Sequence, residues 1–469
     1  MPRSPLRSIA PFFVATLLGS VALAQPAAPA AAPPAAASSA APSAPKAAST
    51  AAPAEPTAAP SAAPPASTGP TIVLAPEDTD APKLPAVALG QGKVSDPDML
   101  RGLRDRRFRT AEQSRGRTSI GGYGELQVIG LRSGKDKPYE WSADVRRLVI
   151  FVAHSFTDSI RAYTELEVEH GKTAEIEQAL VEWSVLDRYL GLRAGLVLLP
   201  VGMVNEVHEP PVFNGVTRPR VETVVIPSTW RELGAGVYGN PTEQLRYQLY
   251  AVTGLDPLLF DAGGFANARG NGFQAKAKAW GVVGRVEFEP AIGLVIGADG
   301  YFSDMGKNGK FYLRDRSQVS LSAPIIGYSI DARFRRAGVE WKALFTEWYL
   351  PEAGAMMHTF NESGRAIYDA AKPVPTRIRG AYVEGGYDVF HPFGLSHQLV
   401  PFARLEYYNT QSAVPEGYKP NLYYDIREYT FGVSYRPIRE VVVKADYQLR
   451  NRRAGADETQ ANFGVGFMY

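Results

Sequence analysis

From Ser119 to the C-terminus the chain alternates apolar and polar residues at period two. Nowhere beyond the N-terminal leader does it gather the run of about 20 apolar residues that a membrane-crossing helix needs. Arg161, Tyr163, Glu165, Glu167 and Glu169 fall on one face of such a segment, and Ala162, Thr164, Leu166 and Val168 on the other. Likewise Val441, Val443, Ala445, Tyr447 and Leu449 alternate with Val442, Lys444, Asp446, Gln448 and Arg450. A row of glutamates is ruinous on the buried face of a sandwich, but on the wall of a wet pore it stays hydrated. The pattern therefore predicts an all-β chain, a transmembrane antiparallel up-and-down β-barrel over residues 119–469.

About sixteen alternating segments can be counted, an even number as bacterial barrels require. They span 119–130, 143–155, 158–169, 176–186, 190–198, 231–239, 244–253, 272–288, 291–303, 324–336, 337–349, 376–390, 397–410, 424–437, 438–451 and 459–469. Tight joins at 156–158, 186–188, 240–242, 289–290 and 437–438 mostly take turns with long polar stretches at 131–142, 199–230, 254–271, 304–323, 350–375 and 411–423. Short periplasmic turns and longer external loops have that asymmetry. The last segment places Ala461, Phe463, Val465, Phe467 and Tyr469 on a lipid face, with Asn462, Gly464 and Gly466 toward the lumen. A terminal strand of this form resembles the signal by which the outer-membrane barrel assembly machinery recognises its clients.

The N-terminus fits the same destination. Arg3 and Arg7, an apolar stretch and Ala22-Leu23-Ala24 predict a signal peptide over 1–24. Residues 25–95 are dominated by Ala and Pro and read as a disordered periplasmic spacer, and 96–118 as a basic polar lead-in. The chain has no cysteine, which removes disulfides, thiol nucleophiles and Cys-based metal sites. Its formal net charge of +2 makes no case for nucleic acid.

The third long connection, 199–230, is unusual. It is rich in large apolar groups and in proline, at Pro200, Pro210, Pro211, Pro219 and Pro227, which restrict it. Such a segment is ordered against something. Folded inward, it narrows the pore, and His208, Glu209, Arg218, Arg220 and Glu222, followed by Arg231, become the constriction. The alternative is an external lid held by salt bridges.

Several of these stretches resemble the bacterial porin family that includes phosphate-selective porins O and P. The resemblance rests on Gly121-Gly122-Tyr123-Gly124-Glu125-Leu126, Arg146-Arg147-Leu148-Val149, Tyr163 to Gly171, Leu199-Pro200-Val201-Gly202, His208-Glu209-Pro210-Pro211, Phe213-Asn214-Gly215 and Ile226 to Glu232. It implies a sixteen-stranded, commonly homotrimeric barrel with loops folded inward. It also implies an anion pathway of basic groups, to which Arg218, Arg220, Lys276, Lys278, Arg333 and Arg404 are candidates. Parity puts Arg161, Glu165, Glu167, Glu182, Asp331 and Glu406 on the lumen wall as well, so the wall charge is mixed.

Chemistry is not expected. The chain has no G-x-S-x-G elbow, and His208-Glu209 is followed by prolines with no second histidine at helical spacing. No catalytic residue, cofactor or metal is therefore assigned. The leading expectation is an outer-membrane porin for passive diffusion of small hydrophilic solutes, anions such as phosphate among them. The rivals are a plugged structural or adhesive barrel that anchors the spacer, and an outer-membrane enzyme acting on lipid.

Overall fold

The computed structural model describes residues 118–469. The expected signal peptide, the expected spacer and all of the expected lead-in before Thr118 lie outside the described residues.

Sixteen strands close into one antiparallel barrel. In chain order they are β1 (Thr118–Ser133), β2 (Glu140–Ser155), β3 (Ile160–Glu169), β4 (Thr173–Leu186), β5 (Leu190–Leu198), β6 (Arg231–Gly239), β7 (Leu245–Thr253), β8 (Trp280–Ala291) and β9 (Leu294–Asp304). The two short strands β10 (Phe311–Tyr312) and β11 (Gln318–Val319) pair only with each other, outside the barrel. The wall resumes with β12 (Pro324–Arg336), β13 (Val339–Tyr349), β14 (Arg377–Tyr387), β15 (Gln398–Ala413), β16 (Asp425–Ile438), β17 (Val441–Arg452) and β18 (Glu458–Met468). Each strand pairs with its sequence neighbours, and β9 pairs with β12. The register Tyr123 to Met468 through Ser133 to Glu458 joins β1 to β18 and leaves no edge. Closure satisfies the backbone hydrogen bonds of every wall strand without water, which is what lets a β structure sit in hydrocarbon. No helix among the described residues is long and apolar enough to cross a membrane.

Period two sorts the wall into two surfaces. Leu126, Val128, Ile150, Leu166, Val282, Ile330, Val383, Leu405, Val443, Phe463 and Val465 point outward and are exposed. Their neighbours Gln127, Glu165, Glu167, Ser329, Asp331, Arg404, Glu406, Lys444, Asp446 and Asn462 point inward and are buried. Exposed Trp141, Trp280 and Tyr349 ring one end, and exposed Phe156, Tyr189, Trp341, Tyr387 and Tyr469 the other. Aromatic girdles of this kind flank the apolar band of membrane barrels.

The two ends differ as expected, although the joins expected at 289–290 and 437–438 lie inside β8 and β16, and the turns come just after them. One carries the turns 156–159, 187–189, 240–244, 292–293, 337–338, 388–397 and 439–440. The other carries 199–230, 254–279, 305–323 and 350–376, with shorter links between. The two-residue turn Ala337-Gly338 has φ of 51° and 78°, the positive pair that lets a tight hairpin match strand twist.

The expected spans 190–198, 231–239 and 324–336 coincide with β5, β6 and β12. One expectation is corrected. The strand expected from 272 begins at Trp280, because Asn271 and Gln274 take left-handed φ values of 49° and 46° that no strand accommodates. Lys276 and Lys278 therefore lie on the connection 254–279 and not on the wall.

The core is inside the barrel. At the long-connection end, Trp230, Phe265, Tyr301 and Trp348 pack ring to ring, with centroids 4.6 Å apart for Phe265–Trp348 and 4.9 Å for Trp230–Tyr301. Leu199, Ile226, Leu255, Met305, Leu350, Met356 and Val374 join them. Four connections thus contribute side chains to one apolar cluster within the ring of strands, α1 (Ala353–Met357) among them.

Candidate functional site

The connection 199–230 crosses the lumen, and its path is held by the polar inner faces of strands on opposite walls. Asn205 begins the crossing, donating to the carbonyls of Leu199 and Trp230 at 2.7 and 2.9 Å and so clamping the two ends of the loop together. Across the barrel, Val216 N donates to Asp446 Oδ2 at 2.5 Å, and Gly215 O accepts from Lys444 Nζ at 2.8 Å. Asn214 O accepts from Ser434 Oγ at 2.5 Å, and its Oδ1 from Arg436 Nη2 at 2.9 Å. On the return limb, Val221 N donates to Glu406 Oε2 at 3.0 Å. The inner polar residues that period two supplies are therefore the partners of a loop whose own backbone groups need them.

Small residues clear the seat. A Cβ on Gly466 would stand 2.2 Å from Pro210 Cβ, and one on Gly464 would stand 3.0 Å from Val216 Cγ1. A Cβ on Gly380 would stand 2.8 Å from Val221 Cγ1. The glycines of the last strand's lumen face are there because the loop rests on them.

The structure distributes the six residues expected at the constriction. His208 is fully buried on the β1–β4 side, with Nδ1 3.0 Å from Asn205 O and Nε2 2.9 Å from Tyr123 Oη. Arg218 donates to His208 O at 3.3 Å and to Ser228 Oγ at 3.1 Å, so it braces the loop from within. Glu222 accepts from the amides of Met203 and Val204, both at 2.7 Å, and from Tyr382 Oη at 2.5 Å. It ties the outgoing limb, the returning limb and β14 together. Glu209 is buried, and Arg220 is half-buried in the electrostatic field of Glu428. Arg231 is the first residue of β6, where it pairs with Glu175.

On the wall, each expected guanidinium meets a carboxylate. Arg161 lies 2.8 Å from Glu182, and Arg333 3.2 Å from Glu287. Arg404 is fully buried between Glu406 at 2.7 Å and Glu384 at 3.1 Å. Lys276, on its exposed connection, pairs with Asp256 at 2.7 Å, and Lys278 is exposed. These basic groups do not line up as one ladder. A second expectation is also corrected: Glu165 and Glu167 face the lumen, but they are 0% and 2% exposed. The crossing loop covers them, and partners replace water. Arg147 bridges Glu125 and Glu167 at 3.2 and 3.1 Å, while Gln178 and Tyr163 donate to Glu165.

Toward the short-turn end the loop roofs a partly open cavity. Its roof is Met203, Val204, Val207, Val212 and Phe213, and its walls carry Arg246, Arg333, Arg335 and Lys342 against Glu287, Glu289 and Glu340. Cationic and anionic groups thus face each other across one cavity and set up a field there. Arg246, Arg335 and Lys342 were not singled out by sequence reasoning, although the same parity that selected Arg333 also selects Arg335. Glu177 was missed for a different reason. A bulge between β3 and β4 pairs Glu165 with Gln178 and Leu166 with Ile176, leaving Glu177 as the extra residue. It turns inward together with Gln178, and strict alternation hides it.

No family model matches the sequence. An uncharacterized protein of Aquifex aeolicus (strain VF5) is 33% identical over 370 residues, covering 75% of this chain and 80% of that protein. Among solved structures, Salmonella typhi OmpF in complex with daunomycin aligns with a TM-score of 0.50 at 12% identity, over 76% of this chain and 98% of that one. The anion-selective porin of Comamonas acidovorans aligns with a TM-score of 0.48 at 9% identity, over 76% and 100%. The chain belongs to the same family as the Aquifex aeolicus protein, and its barrel has the sixteen-strand fold seen in the porins.

Proposed function

We propose that this chain is an outer-membrane porin, through which small hydrophilic solutes, anions included, diffuse passively. The observation that carries the reading is the pairing of a loop held across the lumen with a partly open, charge-lined cavity beneath it. The loop sets the constriction and the chamber sets the charge preference. The outward apolar band with its two aromatic girdles supports a place in the outer membrane. Arg246, Arg333, Arg335 and Lys342 give anions a place to dwell, and the carboxylates between them keep the binding weak enough for release. Phosphate as one of those anions, a homotrimeric assembly, insertion by the barrel assembly machinery and a periplasmic spacer over 25–95 are parts of the same proposal.

The test is single-channel conductance of the refolded mature protein in a planar bilayer, with reversal potential under a salt gradient. Stepwise conductance with anion preference, reduced by added phosphate, supports the full reading. Steps with cationic preference keep the porin and remove the anion assignment. A second reading is a plugged barrel that anchors the N-terminal segment. The aromatic cluster of Trp230, Phe265, Tyr301 and Trp348 inside the long-connection end favours it. A folded barrel without conductance steps would select this second reading. Deletion of residues 25–95 separates the two further, because the porin keeps its conductance without them.

A further inference from the structure

Glu165 of β3, Glu177 of β4 and His208 of the crossing loop bring three ligand atoms within 4.8 Å of one another. All three side chains are fully buried. They come from three segments, so no spacing motif joins them in sequence.

Three features of the arrangement point to a cation. The first is the aim of Glu177, which reaches the lumen only because the β4 bulge turns it there. The second is the histidine. Its Nδ1 lies 3.0 Å from Asn205 O, and because a carbonyl only accepts, Nδ1 is the protonated nitrogen. In the neutral ring Nε2 then turns a lone pair toward Glu177 Oε1, 3.0 Å away, and toward the Tyr123 hydroxyl at 2.9 Å. Two electron-rich atoms at that distance repel unless a proton or a metal cation lies between them. Adjacent ligands of a tetrahedral zinc ion are spaced by roughly 3.4 Å, close to that separation. Backbone-anchored imidazoles are the usual form of a metal-binding histidine. The third feature is charge. Glu125, Glu165, Glu167 and Glu177 face Arg147, Arg218 and Lys444, so four buried carboxylates stand against three buried cationic side chains. One negative charge is left unmatched with a neutral imidazole.

We propose that Glu165, Glu177 and His208 form a divalent-cation site of the zinc type, with the Tyr123 hydroxyl beside it, that pins the crossing loop to β3 and β4. A nitrogen and two carboxylate oxygens suit zinc or cobalt better than calcium or magnesium, which take oxygen alone. Glu165 is already oriented: its Oε2 accepts from Gln178 Nε2 at 2.5 Å and from Tyr163 Oη at 3.2 Å. The site is independent of whether the lumen conducts.

The test is to refold the full chain from chelator-treated, denatured protein with and without Co²⁺, remove free ion, and measure bound cobalt and its visible absorption. Refolding gives the ion access to a site that is closed once the loop is seated. The expected result is one Co²⁺ per chain with a visible band that Zn²⁺ displaces. The band is lost in His208→Ala, and the affinity falls at least tenfold in Glu177→Gln. Both properties persist in His170→Ala, which alters an exposed histidine beside Asp144. No saturable binding by the unaltered chain overturns the proposal, and so does binding by His208→Ala equal to that of the unaltered chain. Glu177→Gln preserves size and hydrogen bonding, and heat-modified gel mobility reports whether each variant folds. Should both variants fail to fold, the stoichiometry of the unaltered chain still decides.

Discussion

Replacing Gly466 by alanine tests whether the crossing loop rests on the last strand. The added methyl would stand 2.2 Å from Pro210 Cβ and 3.2 Å from Val442 Cγ1. Carbon atoms settle at about 3.5–4.0 Å, so Pro210 and Gly466 must separate by roughly 1.5 Å. The loop resists, because Arg436 donates to Pro211 O at 3.3 Å and to Asn214 Oδ1 at 2.9 Å, immediately downstream. Overpacking of this kind costs about 1–3 kcal/mol. The outward alternative, a displaced β18, breaks its ladders with β1 and β17 and costs more. The loop is therefore the part that moves, and the passage beside it changes width. The assay pairs urea unfolding with single-channel conductance, using Gly385→Ala as the control because a methyl there meets nothing within 4 Å. Gly466→Ala should lower the unfolding midpoint and alter conductance, with the barrel still closed on a gel. If both measurements match the Gly385→Ala control, the loop is not seated on β18.

Three further outcomes follow from the same geometry. Tyr382→Phe removes the hydroxyl that donates to buried Glu222, and should destabilise the chain by about 1–3 kcal/mol in urea unfolding. A change below about 0.5 kcal/mol would mean that Glu222 does not clamp the loop to β14. Arg333→Glu combined with Lys342→Glu reverses two charges on the cavity wall, and should shift the reversal potential toward cation preference. An unmoved potential would place the ion path elsewhere. Lys276→Glu should leave reversal potential unchanged and stability within about 1 kcal/mol, since Lys276 and Asp256 form a solvent-exposed pair. A selectivity change would bring the connection 254–279 back to the pore.

Much of the fold was legible in the residues alone, and the site much less so. Alternation identifies the barrel because it is local: each residue's face follows from its neighbour's, and a closed wall needs no other information. The same rule put Glu182, Asp331, Arg404 and Glu406 on the inner face and Phe463 and Val465 on the outer one, where the structure has them. It broke at two kinds of place. Residues 272–279 alternate but do not pair, because left-handed turns at Asn271 and Gln274 take the chain off the wall first. Glu177 is inverted by a bulge, which one extra residue on β4 creates only in register with β3.

Sequence by itself determined the sixteen-strand wall, its outer apolar band and the exceptional character of 199–230. Tertiary structure alone decided what that segment does. Its partners Asp446, Lys444, Ser434 and Glu406 lie about 200 residues away in the chain, and they meet it across the closed barrel. The covering of Glu165 and Glu167, the bracing role of Arg218 and the meeting of His208 with Glu177 depend on the same tertiary arrangement. Period two specifies which face a side chain takes. What stands opposite that face depends on curvature, closure and the fold of a distant loop, and no local pattern encodes these.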